Sequence, residues 1–205
     1  MNERAFILIL MLTLILGLGA GVLCSSIPNR GYLNFISLTI VKISLLLLLF
    51  SVGLRYSLNP KILMNIKNTI KSGLILPLFS LLASILSGIV INLLVGLDAR
   101  LSIAISVAMG WYSFIAPYVT NVAGVVYGIL AFLSNLLREV FTIIIYPFIP
   151  RNIKGNAIMI GGATTMDSTL PVIVKYGGED LGLIAIYHGS VITLIVPVLV
   201  PLIYS

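Results

Sequence analysis

The sequence predicts an all-α, polytopic membrane protein. Of its 205 residues, 60% are hydrophobic and only 9% are charged, whereas a soluble domain carries roughly 25% charged residues. Uncharged apolar stretches recur along the whole chain, so lipid must be the solvent for most of the surface. In lipid, only helices and closed barrels satisfy every backbone group, and these stretches are too long and too evenly apolar for alternating barrel strands.

Three apolar segments come first, at residues 5–24, 32–54 and 72–97. Each is close to the ~20 residues that cross the hydrocarbon core, so each is predicted to be one crossing helix. The loop between the second and third segments carries four basic residues and no acidic one: Arg55, Lys61, Lys67 and Lys71. Cytoplasmic loops are rich in Lys and Arg, which predicts a cytoplasmic loop and N-terminus. The net charge of +6 therefore reports topology, and no nucleic acid partner is expected.

Two later segments are apolar but interrupted. Residues 101–121 stop at the sequence GWYS (110–113) and resume only briefly before Pro117. The other contains GGATTMDST at 161–169 and then Pro171. Each is too polar or too glycine-rich to cross as a plain helix, and each is predicted to be a broken helix or a re-entrant hairpin.

Two long apolar helices are predicted at residues 123–148 and 183–204. The total is about five crossings and two interrupted segments, with a C-terminus outside the cell. In this arrangement Arg151 and Lys154 are cytoplasmic, as the charge bias favours. The alternative is seven crossings, in which both interrupted segments cross fully and those two cations lie outside.

Glu139 lies near the middle of the first of these long helices. An ionised carboxylate exposed to lipid costs about 2.5 to 3.5 kcal/mol even on insertion scales. Asn135 and Thr142 lie on the same helical face, so this polar stripe points to a cavity or another helix. Arg138 lies about 100° round the helix. The stripe indicates either a buried ion pair that joins two helices or a site for a substrate or a proton.

Asp167 lies in the glycine-rich interruption, where four hydroxyl side chains surround it in sequence: Thr164, Thr165, Ser168 and Thr169. Unwound backbone at membrane depth is tolerated only inside protein or beside a water-filled cavity. Broken helices also direct backbone groups towards the midplane, where secondary transporters bind solutes and ions. Two carboxylates would favour a cation. Asp167 can also cap a half-helix, and the two roles are compatible.

The remaining reactive side chains give little indication of an enzyme. His188, the only histidine, has an unperturbed pKa of about 6.5 that suits a proton relay, although a packed structural role is the alternative. Ser168, Asp167 and His188 are the residue types of a hydrolase triad, yet the chain has no GxSxG or HExxH sequence. Cys24 is the single cysteine, which excludes an intramolecular disulfide. No cofactor, metal or catalytic residue is expected.

Four stretches, in this order and at this spacing, resemble the LysO family of bacterial and archaeal lysine exporters: GWYSFIAPYV, LAFLSNLLREVFTIIIYPFI, GGATTMDSTLPVI and AIYHGSVITLIVPVLVPL. The resemblance implies export of L-lysine, and of toxic analogues such as thialysine, in exchange for protons across the cytoplasmic membrane. It also implies that Glu139 and Asp167 are the two acidic residues that export requires. Members of the family are often longer at the N-terminus. Either a small membrane subunit supplies that part, or two copies form a homodimer, or the role differs.

The sequence thus leads to the hypothesis of a secondary active exporter in the lipid bilayer, with H⁺ or Na⁺ as the coupling ion. Residues 101–205 would form the transport part, and residues 1–97 the three-helix part, of one membrane-embedded domain. The rivals are a passive channel for cations or amino acids and a non-transporting subunit of a two-chain exporter. The residues expected to support Glu139 and Asp167 are Asn135, Arg138, Thr142, Thr164, Thr165, Ser168, Thr169, His188, Trp111, Tyr112 and Ser113.

Overall fold

A computed structural model describes residues 73–204 continuously, together with residue 71 and single residues within 12–23 and 39–54. The chain divides into two compact units, Met1–Arg55 and Tyr56–Ser205. In the first unit, the described residues within the two predicted helices are helical. The basic residues Arg55, Lys61 and Lys67 lie outside the described residues, so the predicted orientation in the membrane stays a prediction.

Seven α-helices follow one another in residues 73–204: α1 (Leu76–Val95), α2 (Ala99–Val107), α3 (Tyr112–Ala123), α4 (Val125–Ile145), α5 (Lys154–Gly161), α6 (Leu170–Gly177) and α7 (Glu179–Tyr204). Short 3-10 helices extend α4 at Tyr146–Phe148 and follow α5 at Gly162–Met166. The described residues contain no β-strand.

Within residues 73–204, three helices are long and apolar enough to cross a membrane: Leu76–Val95, Val125–Phe148 and Glu179–Tyr204, the second including the 3-10 turn after α4. Large apolar side chains such as Leu94, Val126 and Leu194 are mostly exposed on them. Such faces suit lipid, and the predicted class of all-α membrane protein is confirmed. The number of crossings stays a prediction.

Both predicted interruptions are present. Between α2 and α3 the chain turns through Met109 and Gly110, whose φ angles are 47° and 90°. Between α5 and α6 the backbone follows the 3-10 helix and then a turn. After the first break, α3 continues through Pro117 to Ala123. A proline removes only one intrahelical N–H bond, and α3 packs closely along α4.

The last helix also begins earlier than predicted. Glu179 and Asp180 form the first turn of α7. Acidic side chains interact favourably with the N-terminal end of a helix dipole, which explains why the charged residues extend the helix. Gly178, with a φ of 93°, separates α7 from α6.

The second interrupted segment folds back on itself. The ammonium group of Lys154, at the start of α5, donates a hydrogen bond to the carbonyl of Tyr176, near the end of α6, at 3.0 Å. The hydroxyl of Tyr146 donates to the carbonyl of Lys154 at 3.3 Å. Because both ends of the segment meet, α5, the break and α6 form a hairpin. This geometry favours the re-entrant alternative for this segment.

Gly189 of α7 packs against the break in that hairpin. A β-carbon on this residue would lie 2.7 Å from the backbone nitrogen of Met166 and 2.8 Å from the Thr165 hydroxyl. Backbone cannot yield as a flexible side chain can, so α7 approaches the break this closely only because residue 189 is glycine.

We therefore expect Gly189→Ala to destabilise the protein by about 1–3 kcal/mol, as overpacking does in cores. Gly155→Ala is the matched control, since a β-carbon there meets only Leu181 at an ordinary 3.6 Å. Thermal unfolding of both variants in detergent measures the difference. Equal midpoints for the two variants would contradict the packing described above.

Candidate functional site

The two interrupted segments contact each other through their backbones. The N–H of Ala163, in the second break, donates to the carbonyl of Met109, in the first, at 2.9 Å. Gly162 has a φ of 62°, and a β-carbon on it would overlap the Met109 carbonyl. Glycine is required there both by the backbone conformation and by the close approach. The tips of the two segments thus meet within the helical bundle.

Asn135 fastens the first break to α4. Its side-chain oxygen accepts from the N–H of Gly110 at 2.7 Å. Its amide donates to the carbonyls of Ile105 and Ala131 at 3.1 and 3.0 Å. A helix end leaves backbone groups without intrahelical partners, and this buried side chain supplies several of the missing bonds. The sequence predicted that Asn135 lies on the face of Glu139. In the structure its hydrogen bonds hold the first break in place.

Glu139 lies one turn further along the same face of α4 and is buried. Among the described residues, its Oε2 atom is a buried oxygen without a hydrogen-bond partner. Ser168 and Asp167, both in the second break, interact with its carboxylate. Thr142, the other member of the predicted stripe, donates its hydroxyl to the carbonyl of Arg138 at 2.8 Å.

Asp167 follows the 3-10 helix at the tip of the hairpin. Its Oδ1 atom accepts from the backbone N–H of Ser168 at 2.6 Å and from the Ser168 hydroxyl at 3.2 Å. Asp167 is not the N-cap of α6, a position that Thr169 occupies without a side-chain cap hydrogen bond. Asp167 is instead the C-cap residue of the preceding 3-10 helix, where its backbone N–H donates to the Thr164 carbonyl at 3.2 Å.

Tyr112 brings the first interrupted segment to the same place. It begins α3, and its phenol interacts electrostatically with both Glu139 and Asp167. Its ring packs edge-on against Phe132 of α4, with 5.4 Å between the ring centroids. We refer to Tyr112, Glu139, Asp167 and Ser168 as the acidic cluster. It joins both breaks and α4.

Arg138 does not pair with Glu139 in the described part of the chain. Its Nε and Nη2 atoms donate to the carbonyls of Ile160 and Met159, at 2.7 and 3.1 Å. A third bond joins Nη1 to the Ser84 hydroxyl at 3.3 Å. These carbonyls end α5, where the helix dipole favours a cation. The predicted alternative of a buried ion pair is therefore not what this arginine forms.

His188 is fully buried and connects three elements. Its Nε2 lies 2.7 Å from the Ser80 hydroxyl of α1, and its Nδ1 lies 3.1 Å from the Thr165 hydroxyl in the break. Thr165 also donates towards the carbonyl of Ala185 on α7 at 2.9 Å. The histidine thus braces the break, and its bonds to Ser80 and Thr165 do not form a triad with Ser168.

The other predicted residues have local roles. The hydroxyl of Thr164 donates to the Gly161 carbonyl at 2.9 Å, and that of Thr169 donates to the Thr164 carbonyl at 3.0 Å. Trp111 packs against Phe114 with ring centroids 5.1 Å apart. Ser113 is exposed on α3. The hydroxyls therefore hold the second break in shape.

Sequence reasoning missed Ser80 and Ser84 of α1, which contact His188 and Arg138. Both are buried. Their spacing of four residues places them on one face of an otherwise apolar helix, and Gly88 continues that face. That stripe was the signal that could have found them.

The fold and the acidic cluster define a polytopic membrane protein whose two interrupted segments both contribute residues that interact with the buried carboxylate of Glu139. The sequence model of the family described as lysine exporter LysO matches residues 11–204, and the chain belongs to this family. The chain is 34% identical over 159 residues to the lysine exporter LysO of Escherichia coli K12. It is 40% identical over 96 residues to a putative lysine exporter of Haemophilus influenzae.

These alignments cover 77% and 47% of this chain. The chain spans about half the length of these curated relatives, 52% of the first and 49% of the second. No solved structure matches the chain. Membership of the family agrees with the resemblance found in the sequence.

We expect Asn135→Leu to destabilise the protein, because it removes one acceptor and two donor bonds and leaves buried backbone groups unpaired, each worth about 1–3 kcal/mol. Ser134→Ala is the matched control, since its hydroxyl bonds only within its own helix, to the Ala131 carbonyl. Thermal unfolding in detergent compares the two. An Asn135→Leu protein as stable as the control would show that the amide does not hold the break.

Proposed function

We propose that this protein exports L-lysine across the cytoplasmic membrane in exchange for protons, with Glu139 and Asp167 binding the transported cations. The observation that carries the proposal is the buried Oε2 of Glu139, which lacks a partner among the described residues and lies in a cluster with Asp167. The family relationship supplies lysine as the solute.

The chemistry of the acidic cluster suits an ammonium group. Two neighbouring carboxylates repel each other in a membrane interior, so a proton or a cation between them is stabilising. An ammonium group has three donors, and it can bond to Glu139, to Asp167 and to the oxygen of Tyr112 or Ser168. A proton on either carboxylate removes an acceptor for the ammonium. Competition for the same oxygens would couple lysine movement to proton movement without ATP.

The two breaks supply the means of alternating access. Their tips are joined by a single backbone hydrogen bond between Ala163 and Met109 and by close glycine contacts. A small shift of the hairpin formed by α5 and α6 would move Asp167 and Ser168 relative to Glu139 on α4. In secondary transporters, alternating access arises largely from rocking or gating of one part of the bundle against another.

Counterflow of labelled lysine in proteoliposomes with an imposed pH gradient tests the proposal. Glu139→Gln and Asp167→Asn are expected to abolish exchange, because each removes a negative charge that binds the ammonium or the proton. Glu179→Gln and Asp180→Asn, in the first turn of α7, are the matched controls and should keep exchange. Full exchange in the first pair would refute the mechanism. Conductance without counterflow would instead identify a channel.

A cellular assay tests whether this chain suffices. Expression of the chain alone in a cell that lacks its lysine exporters should restore growth on thialysine, since export lowers the internal concentration of the toxic analogue. The double variant Glu139→Gln/Asp167→Asn should not restore growth, although it is present in the membrane. Rescue only with a second membrane subunit would show that the chain works as part of a two-chain exporter.

A further inference from the structure

A cavity of about 380 Å³ lies beside Arg138 of α4. It is lined by α1, α2, α4 and α5. Besides apolar side chains, its wall contains four hydroxyls, an amide and a guanidinium: Ser84, Ser87, Ser106, Ser134, Asn135 and Arg138. An apolar pocket with a few convergent polar groups is the usual form of a small-molecule site.

The charge of this cavity is positive. Arg138 donates its three hydrogen bonds to two backbone carbonyls and one hydroxyl, all of them neutral. Among residues 73–204 it forms no ion pair with a carboxylate, even though Glu139 is its neighbour in sequence. A guanidinium at membrane depth is costly, and an anion is the ligand that would neutralise it.

The geometry of the guanidinium selects the kind of anion. A guanidinium has five N–H donors, so those of Arg138 that are not used by Ile160, Met159 and Ser84 are available to a ligand. Its planar fork matches a carboxylate, and serine hydroxyls can donate to the same oxygens. The bonds to the end of α5 hold the guanidinium at a fixed orientation, which favours a specific contact over a loose one.

Helix α4 contributes residues both to the cavity and to the acidic cluster. Arg138 and Glu139 are consecutive and point about 100° apart, while Asn135 both lines the cavity and lies on the face of Glu139. An amino acid with a distal cationic group carries opposite charges at its two ends. Arg138 and Glu139, the two charged side chains of α4, therefore match the two ends of such a solute in sign.

We propose that this cavity binds the α-carboxylate of the transported amino acid, with Arg138 as its charged partner and the serine hydroxyls as additional donors. The identity of the amino acid as lysine rests on the function proposed above. Arg138 is thereby a substrate-binding and specificity-determining residue, which separates lysine from amines that lack a carboxylate.

Equilibrium binding of L-lysine and of L-lysinamide to the purified full chain in detergent tests this assignment. The wild type should bind lysine more tightly than lysinamide, which lacks the negative charge. Arg138→Gln should weaken lysine binding by roughly 10- to 100-fold, as expected for a lost hydrogen bond to a charged group, and should leave lysinamide binding unchanged. Arg151→Gln, in an exposed loop, is the matched control and should preserve the difference.

Because Arg138→Gln also removes bonds that hold α5, a second variant leaves the arginine in place. Ser87 is exposed and lines the cavity, so Ser87→Asp adds a repelling carboxylate without disturbing a buried bond. It should weaken lysine binding and spare lysinamide. Equal affinity of the wild type for both ligands, or an unchanged difference in Ser87→Asp, would overturn the assignment.

The test also separates this assignment from the proposed function. Glu139→Gln should weaken lysine and lysinamide alike, because both carry the distal ammonium. A protein that distinguishes the two ligands through Arg138 but shows no counterflow would retain the carboxylate site and refute export. Counterflow with equal affinity for both ligands would retain export and refute the site.

Discussion

The structure depends on one constraint, which is that every backbone group exposed by a break in a membrane helix must find a partner inside the protein. The two breaks share a backbone hydrogen bond, in which Ala163 donates to Met109, and Asn135 of α4 accepts from Gly110 in the first break. The first break is therefore supported both by the second break and by a side chain of α4.

The interrupted segments also provide the partners of the charged side chains of α4. Glu139 is buried on α4, and the groups that interact with it come from the second break. Tyr112 reaches the same carboxylates from the first break. On the adjacent face, Arg138 lies against the terminal carbonyls of α5, which stabilise its charge through the helix dipole. One helix therefore carries an acidic and a basic group on two faces, and both groups interact with the second interrupted segment.

Most of the hydroxyl groups near the site are structural. Thr164, Thr165 and Thr169 bond to backbone carbonyls within or beside the second break, and His188 links Thr165 to α1. They hold an irregular backbone in one conformation, as a regular helix would do with its own bonds. Consequently the carboxylates are positioned by side chains that do not touch a solute. The proposed site consists of a few side chains, and many more side chains hold the backbone around it.

The sequence by itself determined the class of fold, the two interruptions and the residues that are anomalous in lipid. These features follow from the free energy of transferring each residue from water to hydrocarbon, to which every residue contributes independently of its neighbours. It did not determine that Asn135 braces a break, that Arg138 binds carbonyls and not Glu139, or that Tyr112 and Ser168 complete the acidic cluster. Those roles depend on which segments meet, and only the tertiary structure decides that. A buried polar side chain bonds to the groups that lie next to it in space, and these groups come from segments that are distant in sequence.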